Sequence, residues 1–518
     1  MGARPHTGGR GTRTALAVAG VSLLAWLPLK GRAAPPSAPT PDPRKDDVLA
    51  KRLCGDCHPP PPPDILPRAS WRKEIVKMSL IHAGKGIPAW GEAPALEALS
   101  RDYQDVLAYY EAKAPAALPP SPPWPAPQPL RFVRHVIGFK DALTPEPAVA
   151  NVRLGDLDRD GRPEVLACDM RQGLVLYANP AAPERGLAPL AMVPHPDHVT
   201  LLDLGGSRQD LLVADLGGFF PGDHEKGAAV WLRALPGGRY SPFTLPGLPR
   251  VADVEAADFD SDGRPDLLVA AFGWWRQGGI FLFLNRTTEG GQPSFERKAV
   301  DAHAGPIHVV PADLDADGKQ DFVALIAQER EAVVAFLGDG KGSFRARVLY
   351  AAPHPNWGSS GLQLVDLDGD KDLDMIVTNG DMFDDDILKP YHGIRWLENR
   401  GGLRFEPHLL AALPGAHRAV AGDLDGDGDL DVVASAFTGV AGEAEAPLPA
   451  LVWLEQVKRG RFERHTIARG RPRYPTLDVG DIDLDGDLDL VAGVFQLQGR
   501  SDEWLEVWEN QRRPAARP

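Results

Sequence analysis

The stretch Gly155-Asp156-Leu157-Asp158-Arg159-Asp160-Gly161-Arg162-Pro163-Glu164-Val165-Leu166 decides how the rest of the chain is read. Carboxylates alternate through it, a glycine follows them, and apolar residues lead in and out. Its first aspartate recurs at Asp203, Asp258, Asp313, Asp366, Asp423 and Asp481, at steps of 47, 55, 55, 53, 57 and 58 residues. A period of this length marks a repeat architecture. Every copy has one grammar. A strand of small apolar residues enters the loop and a second, such as 430–436, leaves it. A third follows, as in Ile394-Arg-Trp-Leu-Glu-Asn399, and a fourth carries Phe, as in Phe462-Glu-Arg-His-Thr-Ile467. Four short strands per repeat make one propeller blade.

The ends of the array carry a second clue. Phe132-Val-Arg-His-Val-Ile137 has the fourth-strand pattern but precedes the first loop, while the last copy stops at its third strand, 504–510. The early strand is expected to complete the last blade and remove two open sheet edges. The expected fold over 130–512 is therefore mainly β, a seven-bladed β-propeller with velcro closure.

Six loops keep acid at relative positions 1, 3, 5 and 9. They are Asp156, Asp158, Asp160 and Glu164; Asp258, Asp260, Asp262 and Asp266; Asp313, Asp315, Asp317 and Asp321. The others are Asp366, Asp368, Asp370 and Asp374; Asp423, Asp425, Asp427 and Asp431; Asp481, Asp483, Asp485 and Asp489. Carboxylates crowded on a tight turn repel without a counter-ion. Oxygen-rich loops of this kind suit Ca2+, so up to six calcium ions are expected. Glycine at position 6 (Gly161, Gly263, Gly318, Gly428, Gly486) permits the turn. The fifth loop has Lys371 there, with Gly369 at position 4, and is expected to be weaker. The second, from Asp203 to Asp210, has lost two carboxylates and one residue of spacing and is expected to be empty. The repeat resembles the FG-GAP/VCBS repeat of integrin-α-type propellers. That resemblance implies calcium in the loop between the first two strands of a blade. The family spans adhesion heads, lectins and some lyases, so it implies no single activity.

The chain has 518 residues and a formal net charge of −15, which disfavours nucleic acid and anionic membranes. Its 54 Gly and 51 Pro accompany 12 Trp and 25% charged residues, unlike a disordered polymer. The start (1–33) reads as a signal peptide: Arg4, Arg10 and Arg13, an uncharged run from Ala15 to Leu29, then Gly31-Arg32-Ala33. That run is short for a membrane span. Export to the periplasm or beyond is expected, with no transmembrane segment in the mature chain. A Pro-rich spacer (34–43) and a Pro-rich linker (114–129) bracket a small helical unit (44–113), and 513–518 forms a tail. In the helical unit Ser70 is expected to cap a helix 71–80, and a second helix spans 102–113 with Val106, Leu107, Tyr109 and Tyr110 on its apolar side.

Three cysteines exclude a disulfide scaffold. Two stand in Cys54-Gly-Asp-Cys57-His58. Thiols three residues apart can add to both vinyls of a haem, and the following His reaches the iron. The competing readings, a thioredoxin-like pair and half a zinc site, lack a βαβ context and a second pair respectively. The unit resembles short bacterial c-type cytochrome modules. The resemblance implies one covalent haem c on Cys54, Cys57 and His58, with Met78 as sixth ligand and His82 as its rival. Cys168 is expected to be a buried apolar residue.

His135, His408 and His465 share one position of the fourth strand and read as structural. His195, His198, His303, His354 and His417 fall on the rim away from the Asp loops. That rim also carries Phe219, Phe220, His224, Trp274, Trp275, Asp381, Asp384, Asp385, Asp386 and Tyr391. The combined reading expects electron transfer with a redox partner protein or a small-molecule donor, the propeller serving as a docking platform. The alternatives are a haem-coupled dehydrogenase or lyase on the His-rich rim, and an adhesion or lectin-like propeller with an accessory haem.

Overall fold

The computed structural model describes residues 43–55, 58–85, 99–127, 131–139, 146–180, 182–328, 330–383, 385–438, 448–497 and 500–511. The expected signal peptide, all but Pro43 of the spacer, residues 128–130, Cys57, Asp384 and the tail lie outside the described residues.

Seven four-stranded antiparallel sheets form the propeller. Blade 1 begins with strand Val149–Gly155, blade 2 with Pro196–Leu202, blade 3 with Val251–Ala257 and blade 4 with Pro306–Ala312. Blades 5, 6 and 7 begin with Ser359–Val365, Ala416–Gly422 and Thr476–Gly480. Strand Phe132–Ile137 pairs with Leu505–Asn510 from Phe132↔Asn510 to Ile137↔Leu505, as the fourth strand of blade 7. The ring closes as the displaced strand predicts.

Second strands such as Asp266–Ala271 and Asp321–Ile326 are buried at every residue. Both of their faces pack on other strands, so they read as unbroken apolar runs rather than alternating ones. Phe259, Leu268 and Leu282 of blade 3 meet Phe322, Ala324 and Phe336 of blade 4 in one core. Each such side chain contributes about 1.5–3 kcal/mol through burial. Cys168 is fully buried in this way.

Helix α1 (Pro43–Cys54), α2 (Trp71–His82) and α3 (Arg101–Lys113) form the helical unit. Trp71 and Tyr110 stack at 3.9 Å, and their polar ends bond the Pro63 and Pro61 carbonyls at 3.0 Å each. Ser70 does not cap α2. A 3-10 turn, Arg68–Ser70, runs straight into the helix, so Ser70 is itself helical (φ −83°, ψ −26°). The linker is docked rather than free. Trp124 is buried against blades 5 and 6 and donates to the Ala412 carbonyl at 2.9 Å, while Thr466 Oγ1 donates to the Pro125 carbonyl at 2.7 Å. No helix among the described residues is long and apolar enough to cross a membrane.

Candidate functional site

The Asp loops share one construction. In blade 3, Asp258 accepts the Asp262 and Gly263 N–H groups at 3.0 and 2.8 Å and so closes the turn. Asp266, fully buried, accepts Phe259 N–H at 3.0 Å and Asn285 N–H at 2.7 Å, tying the loop to the third strand. The same pair of bonds recurs at Asp321, Asp374, Asp431 and Asp489. Burial pushes the Asp266, Asp374, Asp431 and Asp489 carboxyls up to about 6. Position 9 thus serves as a backbone staple.

Positions 4 and 6 are both left-handed in all six loops. Arg159, Ser261, Ala316, Gly369, Gly426 and Leu484 occupy position 4, with φ between 59° and 74°. At position 6 Lys371 adopts φ 77°, where the other five have glycine. Lys371 is exposed, and its N–H still bonds Asp366 at 2.9 Å. Donor oxygens converge in Asp156, Asp158 and Glu164, in Asp258, Asp260 and Asp262, and in Asp313, Asp315 and Asp321. In four loops an oxygen buried in the turn has no hydrogen-bond partner: Oδ1 of Asp260, Asp368, Asp423 and Asp481. Arg286 and Arg459 reach the outer oxygens of Asp260 and Asp368 at 2.7 and 2.9 Å. The second loop lacks this set, and Asp210 keeps only the third-strand half of the staple, through the Trp231 indole Nε1–H and the Ala234 N–H.

The opposite rim carries the helical unit. Lys77 lies over Trp275 at 4.7 Å, Arg276 donates to the Lys85 carbonyl, and Ile387 and Tyr391 pack against the helical core. Between the two lies a cavity of about 320 Å3, within the size range of cofactor sites. Cys54, His58, Met78 and His82 all line it. On the helical side its walls are mostly apolar (Leu53, Ile65, Leu66, Ile75, Val106), with the buried Glu74 and Lys77 pair among them. His58 N–H bonds the Cys54 carbonyl at 3.1 Å, the spacing of one helical turn. His58 Nδ1 lies 2.9 Å from the Pro59 carbonyl and donates to it, leaving Nε2 as a free donor atom for a metal. His82 Nδ1 meets the Tyr103 hydroxyl at 2.7 Å. The propeller side adds Glu331, Asn356, Asp381 and Lys389. Lys389 is buried, paired to Asp385 at 2.9 Å and to Asn356 at 2.6 Å. Glu331 accepts Gly358 and Ser359 N–H, and burial pushes its carboxyl up to about 7.

The rim histidines separate into classes. His135, His408 and His465 each pair with a third-strand glutamate at 2.8 Å (Glu509, Glu398, Glu455), in keeping with a structural role. His303 pairs with Asp301 at 2.7 Å on the surface. His354 is buried against Trp357 and Tyr391, and burial lowers it to about 4. His198 and His417 line a second cavity of about 310 Å3 in the propeller mouth, together with His308, Arg250 and Arg418. Phe219, Phe220, Phe383, Phe437 and Phe495 form its collar, and it shares Ala327 and Asp381 with the first cavity. Sequence reasoning missed His308, Asp253 and Glu255. All three lie in first strands, whose two-residue alternation is a signal but lacks the repetition that singles out the loops.

Comparison with solved structures gives fold-level likeness only. A crystal structure of BBS1N in complex with ARL6DN aligns at 13% identity and TM-score 0.43, over 74% of this chain and 98% of that one. A crystal structure of an ancestral GH74 enzyme aligns at 9% identity and TM-score 0.48, over 74% of this chain and 51% of that one. No curated protein matches the chain. A family model described as an FG-GAP-like repeat matches residues 313–377 and 378–434, each span running from blade to blade. The chain therefore carries FG-GAP-like repeats in a seven-bladed β-propeller.

Proposed function

We propose that the protein is an exported monohaem c-type cytochrome acting in electron transfer, its haem lodged between the helical unit and the propeller rim. One observation carries the reading: Cys54, His58, Met78 and His82 line a single, largely apolar cavity. Cys54 and Cys57 would hold the haem covalently, and His58 Nε2, oriented through Nδ1, would ligate the iron. Bound there, haem would supply a one-electron couple. Met78 as the other ligand would set a higher potential than His82. His82, whose Nδ1 meets the Tyr103 hydroxyl, keeps Nε2 available and so stays the rival of Met78. The propeller's Glu331, Asn356 and Lys389 would close the cavity against water. Six Asp loops would bind Ca2+ structurally, supported by the four unpartnered buried oxygens.

The test is a reduced-minus-oxidised spectrum of protein made in a host that matures c-type cytochromes. Wild type should show a c-type α-band and Cys54→Ala should not; a band kept at full strength in the variant overturns covalent attachment. Chelation should lower the melting temperature while leaving that band in place. A second reading is favoured by the two cavities sharing Ala327 and Asp381: an oxidoreductase whose substrate sits in the propeller mouth and reduces the haem. Haem reduction on adding a small alcohol or sugar would favour it over simple electron transfer.

A further inference from the structure

We infer that the floor of the propeller-mouth cavity binds a divalent transition-metal ion through His198, Asp253 and Glu255, with an open position facing the cavity. The inference is independent of the haem and of the Asp loops. The donors come from adjacent first strands, His198 from blade 2 and Asp253 and Glu255 from blade 3. Strand alternation turns Asp253 and Glu255 to one face. One donor atom from each of the three lies within 4.8 Å of the others. Donors about 2.0–2.2 Å from a shared ion stand at most about 4.4 Å apart, so little closure is needed.

The second observation concerns Asp253. It is 2% exposed, and its Oδ1 is ion-paired to His198 Nδ1 at 2.8 Å but has no aligned hydrogen bond. The two atoms are close without the alignment a hydrogen bond requires. A carboxylate oxygen and an imidazole nitrogen this close and buried need a proton or a metal ion between them. The rest of the carboxylate is fixed: Oδ2 accepts Val309 N–H at 3.1 Å, and His308 Nδ1 is 3.5 Å from it. Thr200 Oγ1 donates to Glu255 Oε1 at 3.2 Å. Such outer contacts orient metal ligands.

One imidazole and two carboxylates suit zinc, manganese or iron(II), and fall short of the six to eight oxygens calcium takes. Arg153 and Arg418 stand near Glu255, so a second carboxylate is needed to keep the site attractive to a dication. His198 and His308 border the open cavity whereas Asp253 and Glu255 do not line it, so an outside molecule would reach the ion past the imidazoles. The phenylalanine collar above selects its class: a small compound with an apolar body and one oxygen-bearing head group.

The test is zinc retention by full-length, haem-loaded protein, stripped with chelator and dialysed against zinc in excess calcium. Wild type should retain one tightly held zinc per chain, with a zinc-dependent rise in melting temperature. His198→Ala and the nearly isosteric Glu255→Gln should hold zinc at least about 100-fold more weakly, beyond the about 10–100-fold cost of losing an outer-shell partner. His303→Ala should match wild type. Absence of calcium-resistant zinc in wild type would overturn the inference. So would full retention in a Glu255→Gln protein whose calcium-loaded melting temperature is unchanged.

Discussion

The two rims of the propeller are built from the same blades and obey opposite rules. On one, a nine-residue segment repeats and each of its positions has a fixed duty. Position 1 closes the turn, positions 4 and 6 go left-handed, and position 9 staples the blade. On the other, each loop differs, and the unlike residues gather around two cavities and a docked helical unit. Repetition here encodes structure, because a residue needed in every blade serves the blade. The cavities gather where repetition fails.

The largest test of that contrast is Asp266→Ala. It strands two buried backbone N–H groups, those of Phe259 and Asn285. At about 1–3 kcal/mol for each unsatisfied group, the loss should be about 2–6 kcal/mol in chemical denaturation. Asp210→Ala, in the loop without the acid set, should cost the smaller part of this and respond equally with and without calcium. His303→Ala on the other rim should stay within about 0.5 kcal/mol. Equal losses for Asp266→Ala and His303→Ala would end the distinction between the rims.

Next in size is a pH effect at Glu331 on the irregular rim. Burial raises the Glu331 carboxyl from 4.5 to about 7, while Asp381 adds repulsion and the Gly358 and Ser359 donors oppose the shift. A carboxyl with a raised folded-state pKa contributes stability fully present below pH 4.5, and this is lost as pH rises through about 7. At 1.36 kcal/mol per unit the ceiling is about 3 kcal/mol. Glu331→Gln should therefore gain on wild type between acid and neutral pH. Parallel stability curves for the two proteins would show that Glu331 titrates normally.

Much of the regular rim was legible in the residues. The period, the acid spacing and the stray strand 132–137 predict blade number, loop position and closure, because each is a repeated or displaced local pattern. Position 4 was not legible: Arg159, Ser261, Ala316 and Leu484 have nothing in common as side chains, and only the backbone shows that the turn needs a left-handed residue there. The cavity at the helical unit was half legible. Cys54 and His58 declare themselves by spacing, whereas Glu331, Asn356 and Lys389 come from loops of blades 4 and 5 and converge only through the tertiary fold. The docking of Trp124 was hidden for a related reason, since a proline-rich composition reports chain stiffness but not what the chain lies against.

Closure sharpens the comparison further, since it joins the first propeller strand to the last blade. Glu506 is fully buried and bonded by Arg134 at 2.8 Å, Arg473 at 2.7 Å and the Tyr474 hydroxyl at 3.0 Å. Losing one partner of a buried pair costs about 3–5 kcal/mol. Arg473 remains, so Arg134→Ala should cost about 2 kcal/mol, and proteolysis should start at residues 131–139. Cutting that begins elsewhere would show that the clasp is not the weak seam.

The smallest effect tests whether the regular rim is uniform for reasons of backbone strain. Lys371 holds φ 77° where glycine stands in five sister loops, and its side chain is exposed. A left-handed non-glycine residue costs about 1–2 kcal/mol. Glycine gives back about 0.5–1 kcal/mol through the freedom it gains in the unfolded chain. Lys371→Gly should thus stabilise the protein by about 0.5–1 kcal/mol, read as a higher denaturation midpoint at unchanged slope. It also removes an ammonium from the loop holding Asp366, Asp368 and Asp370, so the gain should grow when calcium is added. A gain of the same size with and without calcium would mean that strain alone separates this loop from its sisters. No gain in either condition would mean that the Asp366 turn bonds, not the glycine, enforce the left-handed residue.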